Sequence, residues 1–393
     1  MIAKKIKEKV SRPSAIRAMF EKGNQLKKTY GDDNVFDFSL GNPNLPPPEK
    51  VNSAITHLIE ENRPGLHGYM PNAGYEYVRE RIADKLNAGS DVKHHKDGIV
   101  ITCGAAGGMN IVFCSILDPQ DEVIVIAPYF VEYNAYVENF YGRIVVVNAD
   151  RDTFLFDVDK IEQAITDKTK AIILNSPNNP SGVVYSRDLL AGLSNVLDKA
   201  ESKTGKAIYV ISDEPYRELV YDDEQVPIIS DIFKNSITVN SFSKSLSLAG
   251  ERIGYVAVSP ETDDYNDLIN ALILSNRILG FVNAPALFQH VIAECLYEKV
   301  DIVSYKKKRD TLYGYITKLG FKCFLPKGAF YLFPRSPIDD VSFCNDYALK
   351  YNILAAPGSG FGFPGYFRLA YCVSDRTIEL SLPAFEKLAK EFF

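Results

Sequence analysis

The sequence predicts an α/β protein: a mostly parallel central sheet with helices on both faces, plus a smaller α+β domain formed by both termini. Three observations carry this reading. Short β-rich runs recur through the middle of the chain, and several are continuously apolar, as strands covered on both faces are. Helix-like stretches lie between many of them, and that alternation is how parallel sheets are built. The two ends of the chain lack the rhythm.

The elements follow in order. Residues 1 to about 48 are polar and then rich in Pro and Gly (GNPNLPPP). The strand runs are Ile99–Thr102, Glu122–Ile126, Ile144–Asn148, Ala171–Asn175, Ala207–Asp213, Ile237–Asn240 and Ile253–Val258. Helical stretches include Gly107–Leu117, Val158–Ala164 and Arg187–Lys199, and a longer helix near 260–280 leads out of the central unit. From about 288 onward come a helix, segments near Phe321–Phe324, Ala329–Phe333 and Phe367–Val373, and a closing helix. The expected division is a large domain over 49–287 and a small domain from 1–48 and 288–393. Residues 98–117 carry no charge, which is long enough for a membrane span. Four glycines in their first eleven residues (Gly98, Gly104, Gly107 and Gly108) and Asp118-Pro119 after them favour a strand, a turn and a buried helix instead.

Bulk composition narrows the function. Hydrophobic residues make up 46% and charged residues 24% of the 393, an ordinary globular balance. The net charge is -6, without a basic tail, so nucleic acid is a poor partner. Six cysteines form no C-x-x-C pair and mostly lie in apolar runs, as buried thiols in a reducing compartment do. Charges interrupt the start, MIAKKIKEKV, so no signal peptide is expected and the location is cytoplasmic. His94-His95 reads as a solvated loop, and no metal is predicted there.

Ligands of open α/β sheets bind beyond the carboxyl ends of the strands. The unusual polar residues fall at those ends: Asn179, Asp213, Ser241, Ser243 and Lys244. A lysine next to hydroxyls beyond a buried strand can lose its proton, as a Schiff-base lysine must. A carboxylate at a buried strand end needs a partner, and either a protonated ring nitrogen or a structural arginine would serve Asp213. Gly104-Ala105-Ala106-Gly107, between a strand and a helix, offers free N–H groups to an anion or simply a tight turn. It is neither G-x-G-x-x-G nor a Walker loop. Arg252, eight residues after Lys244, is a candidate phosphate cation.

Together these residues resemble the aminotransferase class I/II family, the aspartate aminotransferase group of fold-type I pyridoxal-phosphate (PLP) enzymes. N-N-P-S-G at 178–182 is similar to the family's N-N-P-T-G, with Ser181 in place of threonine. D-E-P-Y at 213–216 matches its D-x-x-Y, and S-F-S-K-S-L-S-L-A-G-E-R-I-G-Y at 241–255 resembles its lysine signature. Y-F-R-L-A-Y at 366–371 resembles its C-terminal arginine motif. Four ordered motifs at proper spacing make the likeness specific, from about Gly41 to the end.

The resemblance implies these roles. Lys244 holds pyridoxal 5'-phosphate as a Schiff base and then shuttles the proton. Asp213 pairs with the ring N–H, and Tyr216 and Asn179 bond the ring's 3-oxygen. Phe130 stacks on the ring, with Tyr129 as second choice. Gly104, Ala105 and Ala106, with Ser241, Ser243 and Arg252, hold the phosphate, although G-A-A lacks the hydroxyl common in relatives. Arg368 clamps the substrate α-carboxylate, and the backbone of Gly41 and Asn179 adjoin it. Tyr69 reaches the neighbouring subunit's phosphate, which implies a homodimer with shared sites. Arg277 either reads a distal carboxylate or is a helix-surface arginine, and Ser11–Glu21 is expected to line the pocket.

The implied activity is a transaminase that moves an amino group between an L-amino acid (aspartate or a broad range) and a 2-oxo acid by a ping-pong mechanism. The alternatives are a PLP-dependent C–S β-lyase or related elimination enzyme, and a non-catalytic PLP-binding regulator. About forty residues before Gly41 are too few for a winged helix, which counts against the regulator. A nicotinamide oxidoreductase lacks its glycine fingerprint and leaves Lys244 unexplained.

Overall fold

The apolar runs fold into one sheet in a computed structural model of the chain, which describes residues 2–10 and 15–393. In chain order the strands are β1 (Phe36–Asp37), β2 (Ile99–Thr102), β3 (Glu122–Ala127), β4 (Arg143–Asn148), β5 (Thr169–Asn175), β6 (Tyr209–Asp213), β7 (Ser236–Ser241), β8 (Gly254–Val258), β9 (Tyr331–Leu332), β10 (Ile353–Leu354), β11 (Ala356–Pro357) and β12 (Phe367–Ala370). Strands β2 to β8 form the central sheet in the order β2-β8-β7-β6-β5-β3-β4. Strand β8 is antiparallel to both neighbours, and the remaining pairs are parallel.

Burial explains the composition of these strands. Every residue of β2, β6 and β8 is buried, because helices cover both faces. The edge strand β4 exposes Arg143, Val146 and Asn148. Side chains cap the starts of several helices, among them Asp157 for Val158–Ala164, Ser186 for Arg187–Thr204 and Ser374 for the closing helix Asp375–Ala389. Each such cap satisfies a backbone N–H that the first turn leaves open.

The topology gathers one edge. Strands β5, β6 and β7 are parallel and end at Asn175, Asp213 and Ser241. Antiparallel β8 begins at that edge, with Gly254 opposite Ser241. Thr102, the last residue of β2, also pairs with Gly254, so the helix Gly104–Ile116 starts beside these ends. Residues far apart in sequence therefore share one crevice.

Both termini contribute to a second unit. Strand β1 pairs in parallel with β10, and β11-β12-β9 form a small antiparallel sheet. Phe38, Tyr305, Phe330, Phe367 and Phe385 lie in its apolar cluster. The helix Ala286–Cys295 packs instead with the helices Glu49–Glu61 and Glu76–Asn87, in a cluster that includes Leu296. From Val300 onward most buried apolar residues join the terminal cluster, while Phe333, Ala356, Phe361, Phe363 and Tyr366 pack in the central one. The expected loop at His94-His95 is corrected at one residue. His95 is exposed, but His94 is buried with its ring Nε2 3.0 Å from Ser230 Oγ. Among the described residues, no helix is long and apolar enough to cross a membrane.

Candidate active site

A cavity of about 280 Å³ opens at the shared strand edge. Its floor comes from strand ends: Asn175 of β5, Asp213 of β6 and Ser241 of β7. Ser243 and Lys244 follow on the short helix Phe242–Ser245. Ala105 and Ala106 present the start of the helix Gly104–Ile116, whose unpaired N–H groups suit an anion. Arg252 closes this end. It takes a left-handed φ of 54° and bonds the Ala249 carbonyl (2.8 Å). Its guanidinium lies against Gly104, where an added Cβ would come within 2.7 Å of Nη2.

Deeper in, two charged groups have no counter-charge. Asp213 is buried, and Tyr133 Oη donates to its Oδ2 at 2.5 Å. Its Oδ1 has no partner. Burial raises its pKa to about 7, against the lowering effect of the Tyr133 hydrogen bond. The Asn175 amide bonds the Asp213 carbonyl (2.8 Å), while Asn175 Oδ1 accepts from Asn179 N (2.7 Å). Lys244 Nζ donates to the Gly41 carbonyl at 2.8 Å. Burial lowers its pKa to about 8, so its neutral form is accessible near physiological pH.

The second unmatched charge is Arg368 on β12, only 2% exposed. Nη1 donates to Asn179 Oδ1 (3.0 Å), Nη2 to the Ser39 carbonyl (2.6 Å), and Nε has no partner. The guanidinium sits between the rings of Tyr331 and Phe361, 4.6 and 4.7 Å from their centroids. No carboxylate among the described residues pairs with it. A buried cation without a counter-ion is expensive and predisposes the site to an anionic ligand. Tyr331 also shares a 2.7 Å hydrogen bond with the Tyr216 hydroxyl.

The cavity brings together Gly41, Ala105, Ala106, Phe130, Asn179, Asp213, Tyr216, Ser241, Ser243, Lys244, Arg252 and Arg368. Gly104 stands behind Arg252 rather than in the lining. Tyr129 packs on Gly362 and bonds Asn134 instead. Tyr69 is 93% exposed and lies outside this chain's cavity. Arg277 is exposed in the last turn of the helix Tyr265–Ile278 and does not line it either. Of Ser11–Glu21, residues 11–14 lie outside the described residues, and Met19 is buried in the terminal cluster.

Sequence reasoning missed Tyr133, Tyr136, Asn175 and Tyr331, all of which line the cavity. The strand-end rule that found Asp213 applies equally to Asn175, the last residue of β5. Tyr133 lies three residues after Phe130, across a turn closed by the Tyr133 N–H to the Phe130 carbonyl (3.1 Å). Tyr331 carries no such signal, because its position depends on pairing within the small sheet.

These groups suit an anion at the helix start, a cationic ring nitrogen at Asp213 and a carboxylate at Arg368. Comparison with known proteins agrees. Residues 33–384 match the family described as aminotransferase class I and II. The probable aspartate aminotransferase of Methanocaldococcus jannaschii is 31% identical over 384 residues, covering 94% of this chain and 96% of the relative. A solved amino transferase from Eubacterium rectale is 41% identical, covers 100% of this chain and 99% of its own, and superposes with a TM-score of 0.96. The aspartate aminotransferase from Thermus thermophilus with maleate is 27% identical over 99% of both chains, with a TM-score of 0.87.

The chain belongs to the aminotransferase class I and II family. It is a PLP-dependent transaminase of the fold-type I kind. Its own residues fit that cofactor: the orphaned Asp213 Oδ1 suits a ring N–H, and the helix start with Arg252 suits a phosphate.

Proposed function

We propose that the chain takes the amino group from aspartate, or from a broad range of L-amino acids, and that the residues gathered in the cavity act as follows. The observation that carries this is the pair of unmatched buried groups, Asp213 and Arg368, which line one cavity with Lys244. One matches a cationic ring nitrogen and the other an α-carboxylate.

When bound, pyridoxal phosphate supplies an electron sink conjugated to the substrate nitrogen. Asp213 Oδ1 would accept the ring N–H and keep the nitrogen protonated. Tyr216 and Asn179 would donate to the 3-oxygen, and Phe130 would supply an aromatic face for the ring. Arg252, Ser241, Ser243 and the N–H groups of Ala105 and Ala106 hold the phosphate. Arg368 clamps the α-carboxylate through two parallel hydrogen bonds, next to the Gly41 backbone. That clamp would set the substrate Cα near Lys244, whose neutral amine would take up and hold the Cα proton. Orientation by Arg368 and proton transfer by Lys244 are the protein's main contributions.

The assembly is proposed as a homodimer with shared sites. Leu274, Ile278 and Leu279 are exposed beside Tyr69, whose segment is tied to their helix by the Asn276 to Asn72 hydrogen bond. Such a cluster of exposed apolar groups suits a protein interface. We place the domain boundary between Leu296 and Val300, where packing passes from one apolar cluster to another. A cytoplasmic location is supported by the six free cysteines.

The substrate test is a panel of L-amino acids with 2-oxoglutarate, each followed by amino acid analysis. Glutamate formed from aspartate at the highest kcat/KM supports the donor named here. Turnover confined to pyruvate and ammonia release would replace transamination with elimination.

A further inference from the structure

At the floor of the cavity one buried tyrosine touches the Asp213 carboxylate. Tyr133 sits on the helix Glu132–Asn139 and is 1% exposed. Its hydroxyl donates to Asp213 Oδ2 at 2.5 Å. The other carboxylate oxygen is left open. The Tyr133 ring meets Phe130 edge-on, with centroids 5.7 Å apart at 88°, and stacks on Tyr129 at 6.5 Å and 10°. A single side chain therefore ties the ring-covering Phe130 to the ring-facing Asp213.

We propose that Tyr133 is a positioning residue for transamination, which holds Asp213 as a carboxylate with Oδ1 turned toward the cofactor ring nitrogen. The inference rests on the reading that Asp213 pairs with that nitrogen. A carboxylate has two equivalent oxygens and is free to rotate. Saturating Oδ2 with a fixed donor leaves Oδ1 as the acceptor for the ring. The donor must also keep its proton. Burial and the neighbouring Asp213 raise the Tyr133 pKa far above the usual tyrosine value, so the phenol stays neutral. The other titratable groups facing this pair are Tyr136 on the same helix, Glu214 beside Asp213, and Tyr216. None is a cation, so Tyr133 is the group whose hydrogen bond opposes the desolvation of Asp213.

The test uses PLP-loaded wild type, Y133F and D213N, read by the pH midpoint of the visible cofactor band and by the PLP dissociation constant. A protonated ring nitrogen withdraws electrons and lowers the proton affinity of the conjugated nitrogen on Lys244. A looser Asp213 therefore raises the midpoint. Y133F is expected to raise it by about one pH unit, the scale of one net hydrogen bond, and to weaken PLP binding about 10-fold. D213N should move both further in the same direction. Tyr133→His, which restores a ring donor, should recover part of the shift. An unchanged midpoint in Y133F with a shifted one in D213N overturns the Tyr133 role alone. An unchanged midpoint in D213N overturns the reading of Asp213. If Y133F does not fold, Y133M carries the same measurement, and a wild-type midpoint in it also rejects the proposal.

Discussion

The cavity has two halves built in different ways. The cofactor half rests on ends of the central sheet: Asp213 closes β6, Ser241 closes β7, and Lys244 follows within one turn. The carboxylate half is assembled across the chain. Arg368 comes from the small sheet, Asn179 from the loop after β5, and Ser39 and Gly41 from the N-terminal segment. The first half is held by a continuous hydrogen-bonded ladder, the second by the two hydrogen bonds of Arg368 and two aromatic faces. Under the proposed roles, the proton chemistry would fall on the strand ends and substrate capture on the part assembled across the chain, where small motions are easier.

Several measurements would break or sharpen this contrast. The largest effect is expected at the rigid half. Lys244→Ala should lower kcat by roughly 10⁴-fold or more, the upper range for a positioned acid–base group. Added small amines should restore part of it. Arg368→Leu should act on the other half and raise KM more than it lowers kcat. Truncating one side of a buried charge pair costs about 2–5 kcal/mol in kcat/KM. If Arg368→Leu instead reduces kcat alone, the division of labour is wrong.

Stability without cofactor separates the halves again. Asp213 has its pKa raised on folding to about 7, so its burial penalises the fold increasingly as pH rises through the window between its unfolded and folded values. Apo D213N should therefore melt about 2–4 °C above apo wild type at pH 8, and the gap should shrink toward pH 5. A gap that grows on acidification contradicts the assignment. A smaller effect concerns cofactor capture. With Lys244 lowered to about 8, the second-order rate of PLP capture by the apo form should rise with pH and level off just above that value. The smallest is at Gly41, where a Cβ would meet Tyr331 Oη at 2.0 Å. Gly41→Ala should displace Tyr331 and cost about 1–3 kcal/mol of stability.

The same contrast explains what could be read in the sequence. The cofactor half is nearly all local: a strand, then its polar end, so Asp213, Ser241 and Lys244 follow from apolar runs and the strand-end rule. Arg252 followed from spacing, because β8 returns antiparallel to the same edge. Arg368 came only with a family likeness, since nothing local distinguishes it from a salt-bridged arginine. Tyr133 and Tyr331 were missed because their neighbours in space, Asp213 and Arg368, lie 80 and 37 residues away. The His94 reversal has a similar cause, since Ser230, its partner, is 136 residues distant.

The most direct test of the account is the visible absorption spectrum of the purified, PLP-supplemented protein, before and after single L-amino acids. The account predicts a yellow cofactor band in the wild type, which borohydride converts to a colourless pyridoxyl group that stays covalently bound through denaturation and washing; Lys244→Ala treated in the same way should retain none. It also predicts that at least one amino acid, aspartate first, converts the wild-type band to the pyridoxamine form with release of its 2-oxo acid. A wild-type protein that takes up no cofactor, or a band that no amino acid alters, would contradict it.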